Sequence, residues 1–327
     1  MKITIIGGSG FVGTRLTRYL LAHGYNVKIV DKNDSHTYPN LRVYADVREP
    51  ITLEKELADS DIVINLAAEH FDDVRPRTLY DEVNVNGAEN VCNACVKLGI
   101  KKIIFTSSVA VYGFAPIGTN ENGNISYFND YGRTKWLAEG KYRDWLVSNP
   151  DNSLTIIRPT VIFGEQNRGN VYNLLRQIAE GKFPMVGKGT NIKSMAYVEN
   201  VAVFIAYNMN NGPGEYLFNY VDKPDFDMNT LVIEVNKILG RSIKLFHWPY
   251  WLGYIGGLFF DVLARMINKK LSISSIRVKK FCSDTMFESI NVKSTNFKAP
   301  VSLIEGLNNT INYEFIDKIN SHVFYSE

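Results

Sequence analysis

The sequence has little cysteine, little net charge and no long uninterrupted apolar run. Three cysteines in 327 residues cannot form a paired framework without one left over, and a chain of this length needs none. A reducing, cytoplasmic setting is therefore expected. A net charge of +2 leaves no broad basic field, which excludes general nucleic-acid binding. No apolar run reaches the roughly 18 residues that a spanning helix requires. The opening Met1-Lys2-Ile3-Thr4-Ile5-Ile6 has no apolar signal core or cleavage site and reads as a strand. Cys92-x-x-Cys95 has no second pair and no histidine set nearby, so no metal site is expected.

What is present is an alternation. Short β-branched runs at 2–6, 26–30, 41–45, 62–66, 102–105 and 154–157 alternate with helical spacing at 11–23, 82–98 and 131–148. Runs this apolar suit strands buried on both faces, hence an α/β, Rossmann-type doubly wound parallel sheet. After Arg158-Pro159 the pattern loosens. Helices are predicted at 170–180, 199–209 and 229–239, with short strands at 216–219 and 243–246. Residues 1–160 read as a dinucleotide-binding domain and 161–327 as a smaller C-terminal α/β substrate lobe, with chain segments crossing between them.

Gly7-Gly8-Ser9-Gly10-Phe11-Val12-Gly13 follows the first strand and opens a helix. Gly7, Gly10 and Gly13 allow a tight turn, close backbone approach to a pyrophosphate and close helix packing. The helix N-terminus then offers free N–H groups to the phosphates. Ser9, Phe11 and Val12 share the turn as candidate contacts. Asp31 ends the second strand, where a carboxylate accepts from the ribose 2′-hydroxyl and repels a 2′-phosphate, so NAD is expected over NADP. Lys32 adjoins it. Asp46-Val47 after the third strand reads either as an adenine contact or as a solvated loop acid. Leu66, Ala67 and Ala68 end the fourth strand, where small residues let the backbone follow the cofactor.

Tyr131 and Lys135 are one helical turn apart. A tyrosine titrates at about 10 in isolation. A neighbouring ammonium, together with a cationic nicotinamide, favours the phenolate, which could then take a proton from a sugar hydroxyl. Thr106-Ser107-Ser108-Val109 follows the fifth strand. Ser108 is placed to hold the reacting oxygen beside Tyr131, while Ser107 reads equally as a strand cap.

These segments, with Asn65-Leu66-Ala67-Ala68 and Arg158-Pro159-Thr160-Val161-Ile162-Phe163-Gly164, resemble the extended short-chain dehydrogenase/reductase superfamily of NAD-dependent epimerases and dehydratases, over nearly the whole chain. The resemblance implies Ser108, Tyr131 and Lys135 as the catalytic group and Asn84 as a supporting helix residue grouped with the cofactor site. It also implies that Pro159 to Val161 pass the nicotinamide, and that helices 82–98 and 131–148 make a homodimer. Ser107-Ser108-Val109 lacks the acid pair expected of a dehydratase.

Stretches 67–74, 163–173 and 193–198 are similar to bacterial epimerases acting on N-acetylglucosamine linked to undecaprenyl diphosphate. That resemblance implies C4 epimerisation to the N-acetylgalactosamine form for O-antigen or related surface polysaccharide. UDP-sugar epimerisation and keto-sugar reduction stand as alternatives. A diphosphate substrate calls for cations: Lys193, where relatives carry arginine, with Arg277 and Lys280, whose other reading is a solvated basic face. Asn170 opens a helix, and Glu69, His70 and Val109 border the site. The stretch 246–267, rich in aromatics and followed by Asn268-Lys269-Lys270, reads as a helix lying in the membrane interface. The other reading is a buried or dimer-contact helix. The first places the protein peripherally on the inner face of the cell membrane.

Overall fold

The computed structural model describes residues 1–71, 74–266 and 275–325. Seven strands form its main sheet: β1 (Lys2–Ile6), β2 (Asn26–Asp31), β3 (Arg42–Tyr44), β4 (Ile62–Asn65), β5 (Lys102–Thr106), β6 (Ser153–Pro159) and β7 (Gly214–Tyr220). The order is β7-β6-β5-β4-β1-β2-β3, and every neighbouring pair is parallel. The winding reverses between β1 and β4, which opens a crevice at their carboxyl ends.

The two-residue period of a strand sorts side chains between two cores. Ile103 and Phe105 join Val63 and Ile156 beneath the Gly87–Leu98 and Asp130–Val147 helices. Ile104 faces the other way, with Ile3, Ile5 and Ile64, toward the Phe11–Ala22 and Val198–Tyr207 helices. A third core, including Leu175, Met195, Leu231 and Leu307, gathers the Asn170–Ala179, Met228–Ile238 and Leu303–Ile311 helices. Strand β7 and the Val198–Tyr207 helix come from beyond residue 160, so the sheet is completed only after the chain has left it.

Two expectations need correction. Residues 243–246 form no strand. Instead His247–Trp248 pairs with Met185–Val186. The helix expected over 82–98 is α-helical only from Gly87, after a π-helical stretch at Asp81–Asn86. Cys92 and Cys95 sit in the first core, where burial raises both thiol pKa values.

A buried ion pair joins the sheet to the helix beneath it. Arg158 of β6 and Glu139 of the Asp130–Val147 helix are 2% and 0% exposed. Arg158 Nε and Nη2 donate to the Glu139 carboxylate at 2.8 and 2.6 Å. Arg158 Nη1 donates to the Tyr112 hydroxyl at 2.6 Å, and that hydroxyl donates to Asn219 Oδ1 of β7 at 2.9 Å. Ser107 Oγ donates to Glu139 Oε1 at 2.5 Å. Arg143, one turn on, also meets Glu139 at 3.2 Å but is 27% exposed; removing Arg158 leaves the buried carboxylate with that partner alone, whereas replacing both Arg158 and Glu139 with apolar groups leaves no buried charge. Arg158→Met should therefore lower unfolding stability by about 3–5 kcal/mol, and Arg158→Met/Glu139→Leu should recover at least half of it. Urea unfolding of both variants checks this; a single variant as stable as the parent would show that the pair does not hold the layers together.

Candidate active site at the carboxyl edge of the sheet

The glycine turn lies where β1 meets β4. Gly7 has φ +76°, and a Cβ on it would approach the Ala67 amide nitrogen to 2.7 Å, so only glycine lets the turn touch the end of β4. A Cβ on Gly13 would sit 2.5 Å from Gly8 Cα. The helix behind begins without a side-chain cap, leaving its first N–H groups for an anion. The Asp31 carboxylate accepts from the Ser9 and Asn33 amides at 3.0 and 2.9 Å and thereby lies against the turn. A bare N-terminus beside a fixed carboxylate fits a dinucleotide whose ribose carries no 2′-phosphate. Lys32 is exposed. Val12 packs partly buried against the core, and the Phe11 ring lies 5.9 Å from that of Phe324.

Asp46 is not a solvated loop acid. It is 5% exposed and paired with Arg48 at 2.6 Å. Burial alone would raise its pKa; the Arg48 hydrogen bonds outweigh burial and hold the carboxyl below its usual range. Val47 packs against the start of the Gly87–Leu98 helix, where a Cβ on Gly87 would meet it at 2.7 Å.

Strand β5 and the Asp130–Val147 helix bring Ser108, Tyr131 and Lys135 to one edge. Asn129 caps the helix by accepting from the Gly132 amide at 2.9 Å. Ser108 caps the following 3-10 turn, Val109–Tyr112, accepting from the Ala110 amide at 3.1 Å. The helix and this turn approach closely because residue 132 is glycine: a Cβ there would meet the Ala110 carbonyl oxygen at 2.4 Å. Lys135 is 2% exposed, donates to the Thr106 carbonyl at 2.7 Å and lies 5.9 Å from the Tyr131 ring centre. Burial pushes its pKa down to about 7, against the opposing pull of Glu139.

The flanking candidates have defined places. Asn84 Oδ1 accepts from the Glu69 amide at 2.7 Å, and its Nδ2 donates to the Glu69 carbonyl and to Thr134 Oγ1, both at 2.9 Å. This clamps the segment after β4 to the helix of Tyr131. Leu66 and Ala67 pack partly buried on the two cores, and the Ala68 carbonyl lies 3.3 Å from His70 Nδ1. A carbonyl only accepts, so Nδ1 carries the proton. Burial holds His70 below the usual imidazole range, and the ring stacks on Phe71 at 4.7 Å. Pro159 ends β6 and is buried, and Val161, 38% exposed, begins the short strand Val161–Phe163 that pairs with Met195–Tyr197.

The remaining substrate candidates scatter. Val109 opens the Ser108 turn. Asn170 begins its helix, exposed. Lys193 donates to the Ser283 carbonyl at 2.6 Å, and burial lowers its pKa to about 8. The side chains of Arg277 and Lys280, and Asp72-Asp73 of the 67–74 stretch, lie outside the described residues.

Sequence reasoning passed over three features. Gly132, inside the Tyr131–Lys135 spacing, is a contact requirement visible only once the Val109–Tyr112 turn is placed. Glu139 continues the face of Tyr131 and Lys135 at four-residue steps, a signal available but unused. The C-terminal segment gave none. Its Phe324 exchanges backbone hydrogen bonds with Gln166 and Arg168, and His322 stacks on His36 at 3.9 Å, beyond the Asp31 strand end.

Residues 3–219 match the NAD dependent epimerase/dehydratase family. The sequence is 52% identical to the N-acetyl-alpha-D-glucosaminyl-diphospho-ditrans,octacis-undecaprenol 4-epimerase of Escherichia coli O157:H7, over 100% of this chain and 99% of that protein. It is 28% identical to a UDP-glucose 4-epimerase of Vibrio cholerae, over 81% and 85% of the two chains. The solved UDP-glucose 4-epimerase of Thermotoga maritima superposes with a TM-score of 0.75 at 20% identity, covering 97% and 99% of the two chains, which is a likeness of fold.

The buried lysine generates a pH signature. Its folded pKa of about 7 lies below the unfolded value, so the unfolded chain binds the extra proton between about pH 7 and 10. Stability should therefore rise across that window by up to about 1.4 kcal/mol per pH unit. Lys135→Met should lack this increment, so its advantage over the parent is largest near pH 7 and shrinks toward pH 10. Urea unfolding of cofactor-free protein against pH measures it; a pH-independent difference would contradict the assignment.

Proposed function

The chain belongs to the NAD-dependent epimerase/dehydratase family, and from that premise we propose that it inverts C4 of N-acetylglucosamine carried on undecaprenyl diphosphate, forming the N-acetylgalactosamine-linked lipid used for O-antigen or related surface polysaccharide. The observation that carries this reading is the 52% identity, end to end, with an enzyme named for that reaction. The gathering of Ser108, Tyr131 and Lys135 supports it chemically.

Bound NAD supplies the hydride acceptor, which later becomes the donor, so no net redox change results. Gly7, Ser9, Gly10, Phe11, Val12 and Gly13 hold its pyrophosphate, and Asp31 its adenosine ribose. Lys32, Asp46, Val47, Leu66, Ala67, Ala68, Thr106, Pro159 and Val161 line its course, and Asn84 steadies the segment beside it. Tyr131 removes the C4 hydroxyl proton and returns it after the 4-keto sugar has presented its other face. The Lys135 charge favours the phenolate in a site where little water screens it. Ser108 Oγ holds the reacting oxygen. Glu69, His70 and Val109 border the sugar.

The enzyme works at the inner face of the membrane. No helix of the described residues is long and apolar enough to cross a bilayer. Within the Tyr250–Met266 helix, Trp251, Ile255 and Phe259 are 60%, 55% and 65% exposed and recur every four residues, forming one exposed apolar stripe. Such a stripe suits the interface where a polyprenyl tail is dissolved. Ile267 and the lysines after it lie outside the described residues. A homodimer forms through the helices 87–98 and 130–147, whose outer faces expose Val96 and Leu137.

Three experiments test these statements. Tyr131→Phe should retain NAD and lose at least 100-fold in turnover; near-parental turnover would remove Tyr131 from the chemistry. The purified parent should convert N-acetylglucosamine on undecaprenyl diphosphate, and conversion of UDP-N-acetylglucosamine alone would replace the lipid-linked reading with the nucleotide-linked one. Separately, Trp251→Ser/Ile255→Ser/Phe259→Ser should cut co-sedimentation with phosphatidylethanolamine–phosphatidylglycerol vesicles at least 10-fold. Undiminished binding would place the membrane contact elsewhere.

A further inference from the structure

A groove of about 720 Å³ lies beside the Tyr250–Met266 helix, within the range of small-molecule clefts. Val186, Lys188, Thr190, Trp248, Tyr250 and Cys282 line it. Its walls are built together with the apolar stripe. Met185–Val186 pairs with His247–Trp248, and the Gly187 amide donates to the Trp248 carbonyl at 2.9 Å. A Cβ on Gly253 would meet Val186 Cγ1 at 2.6 Å, so the helix seats its first turn directly on the groove wall. Trp248 and Tyr250 stay 48% and 43% exposed, continuous with the exposed Trp251.

The segment that lines the groove at Cys282 runs on to the turn of Ser108. Cys282 Sγ donates to the Val186 carbonyl at 3.4 Å, and the next residue, Ser283, holds the Lys193 ammonium. Lys193 bridges to Thr285. Two residues on, the Phe287 ring lies 5.9 Å from that of Tyr112, which ends the turn begun by Ser108. Lys193 is thus tied to the segment that joins the groove wall to the turn of Ser108, and the groove adjoins the exposed apolar face of the Tyr250–Met266 helix. Two of the polar side chains that line it are bonded within the protein: Asn191 donates to the Phe281 carbonyl at 2.8 Å, and His247 Nε2 meets Asn229 Oδ1 at 2.9 Å, while Lys188 and Thr190 add polar groups to the wall.

We propose that this groove binds the first isoprene units of the substrate, with Lys193 at the diphosphate and the rest of the lipid leaving past Trp248 and Tyr250 into the membrane. The proposal rests on the lipid-linked reading of the reaction. It explains how one substrate reaches from bilayer to Tyr131 without leaving protein contact.

The test uses two soluble substrates without vesicles: N-acetylglucosaminyl diphosphate capped by methyl, and the same head group carrying farnesyl. The parent should favour farnesyl by roughly 100-fold in kcat/KM, a factor that about four buried methylenes can supply. In Trp248→Asp the farnesyl-to-methyl ratio should fall at least 10-fold; being a ratio, it is insensitive to general loss of folded enzyme. A benzophenone-bearing farnesyl analogue should label the parent within 186–191 or 247–250. Equal use of methyl and farnesyl by the parent, an unchanged ratio in the variant, or labelling elsewhere would each overturn the groove while leaving the epimerase reading intact. Turnover of UDP-N-acetylglucosamine with neither diphosphate accepted would overturn both.

Discussion

The Arg158–Glu139 pair is the constraint around which the catalytic edge is arranged. It lies where water cannot compensate either charge, so Arg158 and Glu139 are met by each other, by hydrogen bonds and, at Glu139, by Arg143 as well. Those bonds reach Ser107 on one side of Ser108 and Tyr112 on the other, and Tyr112 in turn reaches Asn219 on β7. Glu139 is one turn beyond Lys135 on the same helix. One buried pair therefore locks the helix carrying Tyr131 to the turn carrying Ser108, with the sheet as the common reference. Gly132 allows the two to approach, and the ion pair sets how they approach.

The same burial that strengthens this scaffold tunes the chemistry. Lys135 is held by the Thr106 carbonyl in a place that penalises its charge, and the nearby Glu139 offsets part of that penalty. An ammonium so placed interacts strongly with anything anionic beside it, because little solvent intervenes. A phenolate at Tyr131 is such an anion. On the proposed mechanism, the stability lost by burying a lysine is coupled to the reactivity gained by the tyrosine one turn away, a trade common at active sites.

The lobe beyond the sheet follows a different logic. Its core is ordinary close packing, but its outer helix leaves Trp251, Ile255 and Phe259 uncovered while Gly253 is pressed onto Val186. An isolated exposed apolar residue needs no explanation, whereas a continuous stripe beside a groove does. On the proposed reading, the stripe takes the membrane, the groove the first isoprene units and Lys193 the diphosphate.

The doubly wound sheet was legible because strands buried on both faces read as short β-branched runs, and the helices between them carry their own period. The glycine turn, Asp31, and the Tyr131–Lys135 step were legible because each depends on residues close in sequence. Other features depended on partners distant in the chain. Asp46 has its partner Arg48 only two residues away, but it is the surrounding fold that buries it, where composition alone allowed a solvated acid. Ser107 became a ligand of Glu139 rather than a strand cap. Residues 243–246 stayed irregular because the neighbouring His247–Trp248 found Met185–Val186 to pair with. The sequence by itself determined the strand–helix alternation, the cofactor turn and the catalytic spacing, since local sterics and periodicity specify them. Only the tertiary structure decided which buried charges pair, why residue 132 must be glycine, and where the groove meets the apolar stripe, since these rest on contacts between segments that sequence order does not bring together.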